Sequence, residues 1–101
     1  MFGLKPSDIE AINSCFSKWP SIERVILYGS RAKGTHREGS DIDLVIESNH
    51  FSGNDLTSLS HDLDELNLPY KIDLGLKTQM TNSDLLEHIQ RVGKIFYPIN
   101  V

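Results

Sequence analysis

A short apolar run, Val25-Ile26-Leu27-Tyr28, ends abruptly at Gly29-Ser30, and ten residues past Ser30 a second serine, Ser40, opens Asp41-Ile42-Asp43-Leu44. Residues 29–44 read GSRAKGTHREGSDIDL. The apolar run is too short for a buried helix and rich in strand-forming residues, so it reads as a buried strand closed by a turn. The segment after it predicts a short helix over 31–34, a charged loop over 35–39 and a second strand over 42–47 that carries acids. The first amides of a helix have no internal partners, so the Gly29-Ser30 turn can offer N–H groups and a hydroxyl to an anion. Asp41 and Asp43 are separated by one residue, and that spacing on a strand places both side chains on one face. An anion cradle beside paired carboxylates suits a divalent cation with phosphate on its far side.

The rest of the chain gives this block a setting. Ser7-Asp8-Ile9-Glu10, after Pro6, has the form of a capping box. Ile9, Ile12, Cys15, Phe16 and Trp19 follow at helical spacing, and Pro20 marks a stop. Arg24 to Tyr28 is the first strand. In Ile42 to Glu47, Ile42, Leu44 and Ile46 face the core. Leu56, Leu59, Leu63 and Leu66 define a helix capped by Asn54 or Asp55 and ended before Pro69. Tyr70 to Leu76 alternates, with Ile72, Leu74 and Leu76 on one side and Lys71, Asp73 and Gly75 on the other. Thr81 or Asn82 caps a last helix carrying Leu85, Leu86, Ile89 and Val92, with Gly93 at its C-cap and Ile95 to Ile99 as a terminal strand or tail. Alternating helices and strands predict an α/β or α+β domain over 1–101, a small mixed sheet with helices packed mainly on one face.

Charge and cysteine content narrow the function. A formal net charge of −4 lacks the basic footprint of a nonspecific nucleic-acid binder. A lone cysteine, Cys15, allows no intrachain disulfide, which agrees with a reducing cytoplasm, and its place on the core stripe reads as packing. No signal peptide and no apolar run of membrane-spanning length is visible. His36, His50, His61 and His88 are scattered without metal-ligand spacing and read as structural or surface residues. Arg31 and Lys33 either neutralise a polyphosphate or are simply solvated. Asp73, mid-strand among apolar neighbours, needs a partner: a salt bridge to Lys71 or Arg24, or a metal ion.

Gly29-Ser30-x-Ala32-x-Gly34 followed by Ser40-Asp41-x-Asp43-Leu44 resembles the nucleotidyltransferase superfamily with the DNA polymerase β-like fold, and more closely its minimal nucleotidyltransferase branch. The resemblance implies Asp41, Asp43 and Asp73 as catalytic, metal-binding carboxylates for two Mg²⁺ ions. It implies Gly29, Ser30, Arg31, Lys33 and Ser40 as nucleotide-binding residues. The implied reaction is transfer of AMP from ATP to a hydroxyl acceptor. Larger relatives grip the acceptor with a further domain, so the acceptor site is expected on a partner. In the minimal branch that partner is an all-helical HEPN toxin bearing a tyrosine, and the nucleotidyltransferase is its antitoxin. A hetero-oligomer, or a homodimer when alone, is the implied assembly. The alternatives are a regulatory subunit that binds ATP–Mg²⁺ without turnover and a subunit that modifies a small molecule.

Overall fold

A computed structural model describes residues 1–98. Its elements are α1 (Pro6–Phe16), β1 (Arg24–Tyr28), α2 (Gly29–Lys33), β2 (Ile42–Glu47), α3 (Gly53–Asp64), β3 (Ile72–Leu76), α4 (Ser83–Val92) and β4 (Lys94–Tyr97), with a single 3-10 turn at Lys77–Gln79. The strands form one mixed sheet in the order β3-β2-β1-β4. β1 is antiparallel to β2, with Leu27 opposite Leu44 and Tyr28 opposite Asp43. β4 is antiparallel to β1. β2 and β3 are parallel, as the intervening α3 crossover requires, and Asp43 lies opposite Asp73.

The alternation along the strands decides which side is which. Val25, Leu27, Ile42, Leu44, Ile46 and Leu76 join Ile9, Ile12, Phe16, Leu59 and Leu63 in the main core, so α1 and α3, the two longest helices, cover one face. Ile26 and Val45 point the other way and meet Ile89 and Leu85 of α4 in a smaller cluster. α4 lies over β1 and beside α2, and the small cluster's strand residues come only from β1 and β2. The expected mixed sheet with helices mainly on one face is present, with α4 as the exception. No described helix is long and apolar enough to cross a membrane.

Both central strands have the expected bounds, whereas several helix ends do not. α1 begins at Pro6 with Lys5 as its N-cap and no side-chain cap, so Ser7 lies inside the first turn and the expected capping box is absent. Proline at the first helical position needs no N–H partner and already has a helical φ. α1 also ends at Phe16, before Pro20: the N–H groups of Lys18 and Trp19 bond to the carbonyls of Cys15 and Phe16 in tighter turns. α3 is capped by Ser52, not by Asn54 or Asp55. Ser52 Oγ accepts from the Asp55 N–H at 3.1 Å and the Asp55 carboxylate accepts from the Ser52 N–H at 3.0 Å, which satisfies two terminal donors at once. Asn82 caps α4 by accepting from the N–H groups of Asp84 and Leu85. Gly93 ends α4 with φ −59°, so left-handed backbone is not its reason. A Cβ there would collide with the Ile89 carbonyl and an Ile26 methyl, so glycine lets the end of α4 close down on β1. The terminal strand spans Lys94–Tyr97; Ile99 lies outside the described residues.

Candidate active site

Three chain segments meet at one end of the sheet, on the face opposite α1 and α3. β1 delivers Tyr28 and the turn at Gly29. β2 delivers Asp43 opposite Tyr28, and β3 delivers Asp73 opposite Asp43. Because side chains alternate, Leu44 and Leu74 go into the core and their neighbours Asp43 and Asp73 go to the other face together. Asp41 precedes β2 and is exposed, as is Asp73, while Asp43 is half-buried.

The electrostatics report this convergence. Burial raises the Asp43 pKa, and the negative charges of Asp73 and Asp41 raise it further, with His88 acting in the opposite sense. Tyr28 is raised by burial first, then by Asp73 and Asp43. The carboxylates therefore crowd one another, a condition that a cation relieves. Among the described residues no group of three or more His, Cys, Asp or Glu side chains is drawn together closely enough to enclose a metal ion. The donor set still fits a hard divalent cation in kind: oxygen ligands, two of them on adjacent strands, with mutual repulsion to discharge.

The Gly29-Ser30 turn is shaped by the same acid. Gly29 has φ +75°, and a Cβ on it would overlap the Asp43 carboxylate. The chain turns there into α2, which closes with left-handed Gly34. The Gly29 amide is not free, as the sequence led one to expect. It donates to His88 Nε2 at 3.2 Å, and the His88 ring stands edge-on to Tyr28 with centroids 6.3 Å apart. The histidine therefore accepts at Nε2. His88 was read from sequence as structural or surface; its signal was its spacing, one turn from Leu85 and beside Ile89 on the buried face of α4. Tyr28 shows in the sequence only as the end of a buried strand.

Arg31 and Ser40 are bonded within the chain, and Arg31 is not the solvated side chain that was one of its two readings. Arg31 is only 3% exposed. Its Nε and Nη2 donate to the Ser40 carbonyl at 3.2 and 2.9 Å, its Nη1 donates to the Phe2 carbonyl at 2.9 Å, and it lies 5.1 Å from the centroid of Tyr70. It ties the loop before β2 to the N-terminal segment from inside. Ser40 Oγ accepts from the Arg37 N–H at 2.9 Å and the Ser40 N–H donates to the Arg37 carbonyl at 3.0 Å, closing that loop. Lys33 is exposed at the end of α2. The salt bridge considered for Asp73 is not formed: Arg24 instead pairs with Glu47 at 2.6 Å, as does Lys77. An apolar concavity of about 600 Å³ between α1 and β4 shares no residue with the carboxylate set.

A family model described as Polymerase beta, Nucleotidyltransferase matches residues 10–100. No curated protein matches the chain. Among solved structures, one chain of a toxin–antitoxin crystal structure with AMP-PNP is 20% identical, with 95% of this chain and 75% of that chain covered and a TM-score of 0.70. A chain from tri-AMPylated Shewanella oneidensis HEPN toxin in complex with MNT antitoxin is 15% identical, with 95% and 74% covered and a TM-score of 0.68. A putative nucleotidyltransferase from Sulfolobus solfataricus is 17% identical, with 94% and 90% covered and a TM-score of 0.53. At these identities the likeness is one of fold.

Proposed function

Because the chain belongs to the polymerase β nucleotidyltransferase family, whose model spans residues 10–100, we propose that it transfers AMP from ATP to a hydroxyl of a partner protein. The partner is a HEPN-type helical toxin with a tyrosine acceptor, and the modification neutralises it. The observation that carries the reading is the parallel register that sets Asp43 beside Asp73 next to the Gly29 turn. The similar structures support the nucleotide and the partner: one contains AMP-PNP and another an AMPylated HEPN toxin with an MNT antitoxin.

In the reaction the acceptor oxygen bonds to the α-phosphorus, the bond from that phosphorus to the β-phosphate bridge oxygen breaks, pyrophosphate leaves and the hydroxyl proton passes to solvent. Magnesium ions held by Asp41, Asp43 and Asp73 would neutralise the phosphates and make the acceptor hydroxyl more acidic. Ser30 and Lys33 take the outer phosphates, with the Gly29 amide once His88 yields it. Arg31 serves from inside by fixing Ser40, which precedes Asp41. Asp41 and Asp43 suffice to hold the nucleotide; Asp73 faces the acceptor. No protein nucleophile is required, since catalysis rests on positioning and charge neutralisation.

Asp73→Asn tests this division of labour. It leaves ATP–Mg²⁺ affinity within a few fold of wild type and lowers incorporation of labelled AMP into the partner by orders of magnitude, with intact mass spectrometry locating the added adenylyl group. A wild-type complex that forms tightly but gains no nucleotide under any metal condition rules out transfer and leaves a nucleotide-binding regulatory subunit.

A further inference from the structure

We propose that the concavity on the other side of the Ser40 loop binds a phosphate group, at a site separate from the carboxylates. It measures about 400 Å³ and is walled by Lys5, Arg31, His36, Arg37 and Tyr70, with Glu38 as its one acid. The chain as a whole is acidic, with 10 Lys and Arg against 14 Asp and Glu. Arg24, Lys77 and Arg91 take carboxylate partners, and what sets the next three cations apart is that they gather in one place. Among the described residues Lys5, Arg31 and Arg37 form no salt bridge, and all three line the same hollow.

Arg31 makes the case more than a surface patch of lysines would. Its guanidinium is buried, yet its hydrogen-bond acceptors are two neutral carbonyls, and its remaining neighbour is the face of Tyr70. A buried charge compensated only by dipoles and a ring lacks a counterion. An anion in the hollow supplies one, at a guanidinium already held rigid by three bonds. His36 adds a second unsatisfied group: its Nδ1 is buried without a hydrogen-bond partner. Its ring presses so closely on Gly3 that a side chain at that position would overlap Nε2. Lys5 and Arg37 are exposed at the rim and can close over the ligand. Cations disposed around a hollow, two of them planar forks, suit the multiply charged tetrahedral phosphate better than a single carboxylate.

The test uses the metal-free protein in chelator, so that the carboxylate site contributes nothing and the outcome is independent of the proposed transferase activity. Inorganic phosphate, pyrophosphate, AMP and acetate are titrated separately while backbone amide NMR shifts are followed. Phosphate and at least one of the two larger phosphates give saturable shifts centred on Lys5, Arg37 and Gly39, whereas acetate does not. A tighter constant for pyrophosphate identifies a diphosphate as the source, and one for AMP identifies a nucleotide monophosphate. Lys5→Gln and Arg37→Gln each weaken the constant by roughly two- to fivefold, the scale of one partly exposed charge pair, and Glu38→Gln strengthens it by a similar factor. Non-saturating shifts, equal binding of acetate, or saturable shifts centred on Gly29 and Asp43 that ignore these three substitutions overturn the proposal.

Discussion

Gly29 lacks a side chain for two reasons that act together: its backbone is left-handed, and the Asp43 carboxylate fills the space a methyl would take. Gly29→Ala therefore costs roughly 1–2 kcal/mol in backbone strain alone, and it also pushes Asp43 out of line with Asp73; chemical denaturation and nucleotide binding measure the two effects. Asp43 itself weakens the fold. Its pKa is raised by burial and by the neighbouring carboxylates, so the folded state holds the proton more tightly than the unfolded chain does. The penalty is in full force at neutral pH and is relieved as pH falls through the raised value. Asp43→Asn is accordingly at least as stable as wild type at neutral pH, the difference narrows on acidification, and metal-dependent nucleotide binding is lost. Thermal melts across pH check the sign, and marked destabilisation by this substitution shows a structural acid instead. Arg31 is the converse case. Arg31→Ala strands the Ser40 and Phe2 carbonyls and costs roughly 2–4 kcal/mol, a loss that denaturation resolves without any ligand present.

At the scale of elements, the strands and the start of α4 are legible, and the starts of α1 and α3 are not. Val25 to Tyr28 and Ile42 to Glu47 announce themselves because alternation and β-branching are properties of neighbouring residues. Asp43 and Asp73 could be assigned to a common side for the same reason. The start of α3 is hidden because its reciprocal cap uses Asp55 where glutamate is the usual partner, with Ser52 two positions before Asn54 and three before Asp55. The particular partners of His88, Arg31 and Ser40 are invisible in the sequence because they lie 59, 29 or 9 residues away in the chain, or in the loop's own folding. No local pattern encodes which carbonyl a buried guanidinium will meet. Glu47, at the end of β2, illustrates the same point with a pH consequence. Burial raises its pKa, but bonds to Lys77 and Arg24 outweigh burial and leave it lowered. Its contribution to stability is complete above the ordinary glutamate pKa and disappears as pH falls through the lowered folded value. Glu47→Gln flattens this part of the stability–pH curve, which urea titrations at successive acid pH values reveal.

For the molecule as a whole, ATP with Mg²⁺ raises the melting temperature by mass action on the folded state, and no shift at millimolar concentrations counts heavily against nucleotide binding. The order β3-β2-β1-β4 leaves β3 paired on one side only, yet β3 carries Asp73. Marginal strands detach at lower free energy than the centre of a sheet. Amide exchange is therefore faster over 72–76 than over 25–27, and each such opening takes Asp73 away, with the edge of the core that Leu76 fills, while Asp43 stays paired to β1. In the reaction proposed above, such an opening is a folded state in which Asp41 and Asp43 keep their places while Asp73 is withdrawn. For that proposed reaction, an acceptor protein that clamped this outer strand would lengthen the intervals during which all three acids stand together.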